Sequence, residues 1–302
     1  MQAGAIPICL VTGFLGSGKT TLLQRLVVQL HGRRVAYLVN EFSPVDVDGR
    51  LLDLPDDALV SLPGGSIFCR CLVLSFIRAL QQLHQMNPEG VVIEASGVAD
   101  PSVIHKMLQE TGLDAQFTIA RVITLVDPGT YHKLASIMTA VPAQVRAADL
   151  VLINKSDLYP DDVMEQVTTA VRRENPTAQI AVTCRADVPI DPFVPQSVPV
   201  TEGDYAACSD PRFTRFEPTA PRPVNLAALR TDVRSIRESI YRLKGLINTA
   251  DGALLVEIAG DHWTETPVPA QAENTLVIIA NGSDPESARA LANRFASGAY
   301  SA

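Results

Sequence analysis

The sequence predicts an α/β protein with a mostly parallel sheet, followed by a small α+β domain. Short apolar runs alternate with helically spaced leucines and valines from residue 1 to about residue 190. A proline-rich stretch with little periodicity follows, and a second set of apolar runs then closes with a helical pattern. We therefore expect a first domain over 1–190, a linker over 191–211 and a second domain over 212–302.

Each strand of the first domain is predicted from a short apolar run, and each helix from apolar residues at helical spacing. Strands are predicted at Ile6–Thr12, Arg34–Asn40, Gly90–Ala95, Val122–Val126, Leu150–Ile153 and Gln179–Thr183. Helices are predicted at Thr20–Leu30, Cys71–Met86, Pro101–Glu110, Pro142–Ala147 and Asp161–Glu174. Alternation of this kind gives a parallel sheet with helices on both faces, and ligands collect at the carboxyl ends of its strands.

The second domain is predicted to be a small α+β domain with four strands and two helices. Its strands are predicted at Arg212–Glu217, Tyr241–Leu246, Ala253–Ile258 and Thr275–Ala280, and its helices at Leu226–Arg237 and Asp284–Phe295.

Bulk composition excludes several classes of protein. The 302 residues are 47% hydrophobic and 19% charged, as in an ordinary globular chain. The net charge of −8 argues against a general nucleic-acid partner, and no apolar run reaches the ~18 residues of a membrane span. Five thinly spread cysteines do not form a disulfide framework, and no signal-peptide pattern is evident. We therefore expect a cytoplasmic protein.

Residues 13–20 read Gly-Phe-Leu-Gly-Ser-Gly-Lys-Thr and satisfy G-x-x-x-x-G-K-[ST] at every fixed position. A predicted buried strand precedes this loop and a predicted helix follows it, so backbone N–H groups face an anion. Lys19 can reach the β- and γ-phosphates, and the Thr20 hydroxyl can ligate Mg²⁺. The alternative is a glycine-rich turn that matches by accident, but the flanking pattern favours a nucleoside triphosphate site.

A second signal is Asn154-Lys155-Ser156-Asp157, which follows a predicted strand. The Asp157 carboxylate can accept from N1–H and the N2 amino group of guanine, whereas adenine lacks that donor pair and leaves the carboxylate unpaired. The Lys155 stem can lie over the base, and Asn154 can tie this loop to the phosphate loop. The alternative is a surface turn of the same composition that binds no base. Because a phosphate loop precedes it in the chain, a guanine-binding loop is favoured.

A third group of acidic residues falls at the same edge. Glu94 ends the apolar run Val91–Ile93, and Gly97 follows three residues later. That spacing suits a carboxylate in the Mg²⁺ shell and an N–H group near the γ-phosphate, although a solvated strand-end glutamate would look alike. Glu41 is a candidate for orienting the attacking water or binding a metal, and Asp46 or Asp48 is a candidate Mg²⁺ ligand.

Together these motifs resemble the CobW-type metallochaperone GTPases. The resemblance is carried by GFLGSGKTTLL at 13–23, VNEF at 39–42, GGSIFCRC at 64–71, IEASGVADP at 93–101 and NKSD at 154–157. It implies a P-loop GTPase domain with a small α+β C-terminal domain. Nucleotide-binding residues implied by motif and resemblance are Gly13, Gly16, Ser17, Gly18, Lys19, Thr20, Thr21, Gly97, Asn154, Lys155 and Asp157. Glu41 and Lys19 take the catalytic roles, and Thr20, Asp48 and Glu94 the Mg²⁺-linked ones.

The metal motif departs from the family pattern. The family has Cys-x-Cys-Cys where this chain reads Ser66-Ile67-Phe68-Cys69, so two of three thiolates are missing. Cys71 stands two residues beyond Cys69 as a replacement, and thiolates are the ligands that hold Zn²⁺ tightly. Two buried thiols that merely pack in the core are the alternative. The residues thus favour Zn²⁺ or Co²⁺ binding at Cys69 and Cys71 and core packing of these two thiols about equally.

The resulting functional prediction is an Mg²⁺-dependent GTPase that delivers a metal ion or metal cofactor to a client metalloprotein. No arginine finger is evident in cis, so turnover is expected to be slow, with a partner or a homodimer accelerating it. One alternative is a GTP-gated activator of a metalloenzyme, such as a corrinoid-dependent one, that holds no metal itself. A P-loop small-molecule kinase is a further alternative, against which Asp157 argues.

Overall fold

A computed structural model describes most of the chain. The described residues are 4–40, 59–62, 68, 72–197, 199, 203, 205, 213–220, 223–259, 262–269, 273–281 and 284–301. They divide into two compact units, residues 1–208 and 209–302.

The described part of the first unit contains a seven-stranded parallel sheet. Its strands are β1 Ile6–Gly13, β2 Val35–Asn40, β3 Leu59–Leu62, β4 Gly90–Glu94, β5 Phe117–Val126, β6 Leu150–Ile153 and β7 Gln179–Val182. The order across the sheet is β3-β2-β4-β1-β5-β6-β7, which places β1 at the centre. The predicted mostly parallel sheet is thus confirmed.

Helices cover both faces of this sheet. They are α1 Lys19–Gln29, α2 Val73–Gln85, α3 Ile104–Glu110, α4 Pro128–Ile137, α5 Ala140–Arg146 and α6 Asp161–Glu174. Side chains of β1 alternate between two cores: Ile8 and Leu10 pack with α2 and α3, while Cys9 and Val11 pack with α1. Burial on both faces explains why these strands read as continuous apolar runs.

One strand and one α-helix of the first unit were not predicted. β3 has four residues, all only partly buried, and lacks the long apolar run of the central strands. α4 begins at Pro128, and the Asp127 carboxylate accepts a hydrogen bond from the Gly129 N–H at 3.0 Å. Asp-Pro-Gly is typical of a turn, but here it caps a helix with proline at the first helical position.

The first part of the predicted linker packs on the first unit. Phe193 is buried, and its ring lies so close to Gly90 that a Cβ there would come within 2.4 Å of it. Asp191 pairs with Arg33 at 3.0 Å, and Tyr205 donates to Glu110 at 2.7 Å. This segment contains enough apolar residues to fill space, which the proline content alone does not reveal.

The second unit is an antiparallel sheet covered by helices, as expected for a small α+β domain. Its strands are β8 Phe213–Phe216, β9 Thr219–Ala220, β10 Ile240–Thr249, β11 Gly252–Ala259, β12 His262–Val268 and β13 Asn274–Asn281. The order is β12-β11-β10-β13-β8, with β9 paired to β13. Helices α7 Leu226–Ser235 and α8 Pro285–Ala296 share one core with the sheet, against which Trp263 of β12 also packs.

Within the part of the chain that is described, no helix combines the length and the apolar character needed to span a bilayer.

Candidate nucleotide-binding site

The phosphate loop leaves the carboxyl end of the central strand β1. Gly13, Gly16 and Gly18 have φ angles of 130°, 77° and 109°, a region that side chains disfavour. A Cβ on Gly13 would lie 2.3 Å from the Leu125 carbonyl oxygen. Glycine is therefore required at Gly13 by both conformation and space, and the loop has the tight form predicted for a phosphate cradle.

Lys19 opens helix α1 beneath this loop. Its side chain is buried, and its ammonium donates to the carbonyl oxygens of Gly13 at 2.9 Å and Phe14 at 3.3 Å. The charge thus lies inside the loop, next to the helix N-terminus. Thr20 and Thr21 follow in the first turn of α1.

Gly97 lies directly against the phosphate loop. A Cβ on Gly97 would come within 2.6 Å of the Leu15 backbone nitrogen. The buried Gln144 side chain of α5 holds this segment by donating to the carbonyl oxygens of Gly97 at 3.2 Å and Ala99 at 2.9 Å. Sequence reasoning missed Gln144, because nothing along the chain links it to residues more than forty positions earlier.

Asn40 connects three strand ends. Its amide donates to the Leu62 carbonyl oxygen at 3.0 Å and accepts from the Ser96 N–H at 3.3 Å. This buried side chain therefore joins the ends of β2 and β3 to the loop that leaves β4.

The oxygen donors at this edge suit magnesium. Glu94 is a buried carboxylate at the end of β4, whose register with β1 pairs it with Val11. The Thr20 hydroxyl lies in the first turn of α1. Carboxylate and hydroxyl oxygens are the hard ligands that Mg²⁺ prefers, so Glu94 and Thr20 are a fitting pair of candidates.

Asn154 ties the predicted guanine loop to the phosphate loop. Its amide nitrogen donates to the Ser17 carbonyl oxygen at 2.9 Å. Its amide oxygen accepts from the Thr183 hydroxyl at 3.1 Å and from the Ala186 N–H at 2.8 Å. One buried side chain thus holds the loops after β1, β6 and β7 together.

Lys155 and Asp157 extend this loop outward. Lys155 has φ of 62°, and its ammonium forms an ion pair with Asp127 at 2.6 Å. Asp157 is exposed, and its hydrogen bond with the Cys184 thiol raises the pKa of that thiol. Asp127 and Cys184 were not among the predicted site residues.

The remaining candidates lie outside the described residues: Glu41, Asp46, Asp48, Cys69 and Cys71. Phe68, which occupies a thiolate position of the family motif, is described and lies fully buried in the core beside α2. Among the described ranges, no group of three or more His, Cys, Asp or Glu side chains is placed to hold a metal.

The structure therefore brings the phosphate loop, Gly97, Glu94 and the Asn154–Asp157 loop to one edge of the sheet, the arrangement of a P-loop nucleotide-binding protein. Sequence comparison agrees. Residues 7–182 match the family described as CobW/HypB/UreG, nucleotide-binding domain, and residues 213–296 match the cobalamin synthesis protein cobW C-terminal domain. The chain therefore belongs to the CobW/HypB/UreG family, which confirms the predicted resemblance to the CobW-type GTPases.

Several curated relatives are named for zinc. The chain is 31% identical over 189 residues to the zinc chaperone YjiA of Escherichia coli, covering 61% of this chain and 59% of that protein. It is 29% identical over 198 residues to the zinc chaperone CobW of a Sinorhizobium species, covering 56% of each. It is 26% identical over 213 residues to the yeast zinc-regulated GTPase metalloprotein activator 1, covering 61% of this chain and 49% of that one. The match thus spans less than two thirds of each relative.

Among solved structures, Zn(II)-bound YjiA GTPase from E. coli matches 95% of this chain and 98% of its own, with a TM-score of 0.48 and 22% identity. HypB from Helicobacter pylori in complex with nickel matches 61% of this chain and 80% of its own, with a TM-score of 0.44 and 18% identity.

Proposed function

We propose that this protein binds GTP with Mg²⁺, hydrolyses it slowly, and uses the cycle to deliver a metal ion or metal cofactor to a client metalloprotein. The observation that best supports GTP is the Asn154 side chain, which joins the phosphate loop to the predicted guanine-reading loop. A nucleotide has its phosphates and base at opposite ends, so a site for it needs two such loops at a fixed spacing.

Hydrolysis at such a site would depend on positioning and charge neutralisation. Lys19, the loop N–H groups and Mg²⁺ held by Thr20, Glu94 and Asp48 would neutralise the phosphates. Glu41 would orient the attacking water. We expect slow turnover by the isolated chain, and acceleration by a partner or by a second copy.

The metal part of the proposal is supported by relatives named as zinc chaperones. Cys69, Cys71 and Glu41 are the proposed ligands for Zn²⁺ or Co²⁺ as cargo. The buried Phe68 favours the alternative in which the chain activates a metalloenzyme without holding metal, since it removes one ligand position from the motif. A cytoplasmic location remains part of the proposal.

Calorimetric titration in the presence of Mg²⁺ tests which nucleotide the protein binds. GTP should bind in preference to ATP, and Asp157→Asn should lose at least tenfold in GTP affinity, since a hydrogen bond to a charged group contributes about 1.5–3 kcal/mol. The same variant should gain affinity for xanthosine triphosphate, whose C2 oxygen can accept from the new amide. Glu165→Gln, an exposed acid on α6, is the matched control. Equal binding of GTP and ATP by the wild type would refute the proposal.

Metal titration separates the two versions of the function. Zn²⁺, Co²⁺ and Ni²⁺ are titrated into the GTP-bound wild type and into a Cys69→Ala/Cys71→Ala variant. Tighter binding by the wild type supports delivery of metal by this chain. Equal, weak binding by both proteins favours the activator that holds no metal.

A further inference from the structure

We propose that Asp127 is a positioning residue for the base pocket: its carboxylate fixes the Lys155 ammonium, so that the Lys155 stem forms a preset wall for guanine. This inference rests on the proposed function, because it assigns a role in recognising the same nucleotide. Asp127 belongs to none of the motifs that predicted the site.

The ion pair is close and mostly dry. Asp127 Oδ2 accepts from Lys155 Nζ at 2.6 Å, and the two side chains are 5% and 16% exposed. An ion pair shielded in this way is screened less by water than a surface pair, so it holds the lysine more tightly. A flexible lysine would otherwise spread its stem over several rotamers, each of which places the methylene groups differently.

The Lys155 backbone is also held in a specific conformation. Its φ of 62° is uncommon for a residue with a side chain, so this backbone conformation is held by the surrounding structure. The neighbouring Leu158 N–H donates to the Lys155 carbonyl oxygen at 3.0 Å. Backbone and ammonium are thus fixed at both ends, which leaves the stem between them little freedom.

A second contact joins the same two loops. Gly129, at the start of α4, has the Tyr159 hydroxyl so near that a Cβ would lie 2.3 Å from it. The loop after β5 and the loop after β6 therefore meet at two points, the ion pair and the Tyr159–Gly129 contact. The Lys155 anchor is part of a packed junction between two strands of the sheet.

The other oxygen of the same carboxylate has a separate structural task. Asp127 Oδ1 caps α4 by accepting from the Gly129 N–H. Asparagine is as good an N-cap as aspartate, so Asp127→Asn should keep the cap while removing the charge that fixes Lys155. This separation makes the positioning role testable without unfolding α4.

The experiment is a double-mutant cycle on the full chain. Asp127→Asn, Lys155→Met and the double variant are compared with the wild type for binding of GTP, ATP and inorganic tripolyphosphate in Mg²⁺. We expect each single variant to lose about tenfold in GTP affinity, the double variant to be no worse than Lys155→Met, and tripolyphosphate affinity to stay unchanged. Glu174→Gln, which removes a peripheral ion pair with Arg146, is the control and should bind GTP normally.

The outcomes are distinct. Normal GTP affinity in Asp127→Asn, additive losses in the cycle, or parallel losses of GTP and tripolyphosphate would each overturn the positioning role while leaving a wild-type preference for GTP intact. If the wild type itself prefers neither GTP nor ATP, the proposed function fails instead. Thermal unfolding checks that Asp127→Asn is folded; if it is not, Asp127→Ser, which also keeps an N-cap oxygen without the charge, takes its place in the cycle.

Discussion

Gly18 has a φ of 109°, and a Cβ at this position would lie 2.3 Å from the Asn154 amide nitrogen. That nitrogen is the donor that holds the Ser17 carbonyl oxygen. A side chain at position 18 would therefore both strain the phosphate loop and push away the residue that joins it to the loop after β6. The backbone strain and the steric clash with Asn154 would therefore both arise from the same added Cβ.

We predict that Gly18→Ala weakens GTP binding at least tenfold, because backbone strain and one lost hydrogen bond together cost about 2–4 kcal/mol. Calorimetric titration with GTP measures the loss. Gly112→Ala is the matched control, since Gly112 also has positive φ, at 69°, but a Cβ there meets nothing within 4 Å. Similar losses in both variants would show that the contact with Asn154 is unimportant.

The motifs predicted that Asn154 contacts the phosphate loop, but they did not predict every residue around Asn154. The link from Asn154 to the phosphate loop was predicted, since both ends belong to recognisable patterns. Asp127 was missed because its partner lies 28 positions away and its Asp-Pro-Gly context is typical of a turn. Pairings made only by the fold leave no periodic signal in one sequence.

At the level of elements, α5 supports the site through the Gln144 side chain. Gln144 is 1% exposed and satisfies the Gly97 and Ala99 carbonyl oxygens, so it fixes the loop whose Gly97 N–H is proposed to face the γ-phosphate. Asn175 is a comparable buried amide, which donates to the Val145 and Ala148 carbonyl oxygens away from the site.

We predict that Gln144→Ala and Asn175→Ala each lower the free energy of unfolding by about 1–3 kcal/mol, since each removes hydrogen bonds from a buried amide to buried backbone carbonyl groups. Only Gln144→Ala should also lower kcat for GTP hydrolysis, by about tenfold, the change produced by 1.4 kcal/mol. Denaturant titration and single-turnover hydrolysis measure the two quantities. A normal kcat in Gln144→Ala would mean that the loop needs no support from α5.

The elements themselves differ in how well the sequence predicts them. The strands β1, β4 and β6 were predicted to within a residue or so, because burial on both faces produces continuous apolar runs. β3 and α4 were missed: four half-buried residues are too few to show a period, and a capped start resembles a turn. β5 also begins five residues before its predicted start, since Thr118 and Arg121 interrupt the apolar run.

At the scale of the whole molecule, each unit has its own hydrophobic cores. Phe193 closes one core of the first unit against Gly90, although its position in a proline-rich stretch predicted a linker. Phe295 of α8 is buried in the core of the second unit. All the predicted nucleotide-binding residues lie in the first unit, so a bound nucleotide should stabilise that unit directly.

We predict that Phe193→Ala and Phe295→Ala each lower the free energy of unfolding of their own unit by about 3 kcal/mol, because each leaves a cavity in a packed core. Hydrogen exchange at the amides of β1 and β10 measures the stability of the two units separately.

GDP with Mg²⁺ at a hundred times its dissociation constant should raise the free energy of unfolding of the first unit in Phe193→Ala by about 2.7 kcal/mol. The same GDP should not slow the exchange of the β10 amides in Phe295→Ala. Val194→Ala, at a neighbouring side chain that is 48% exposed, is the control and should change stability by no more than about 0.5 kcal/mol. If Phe193→Ala were as stable as this control, the segment after β7 would be a linker that contributes nothing to the core. If GDP slowed hydrogen exchange at the β10 amides, the nucleotide would stabilise both units.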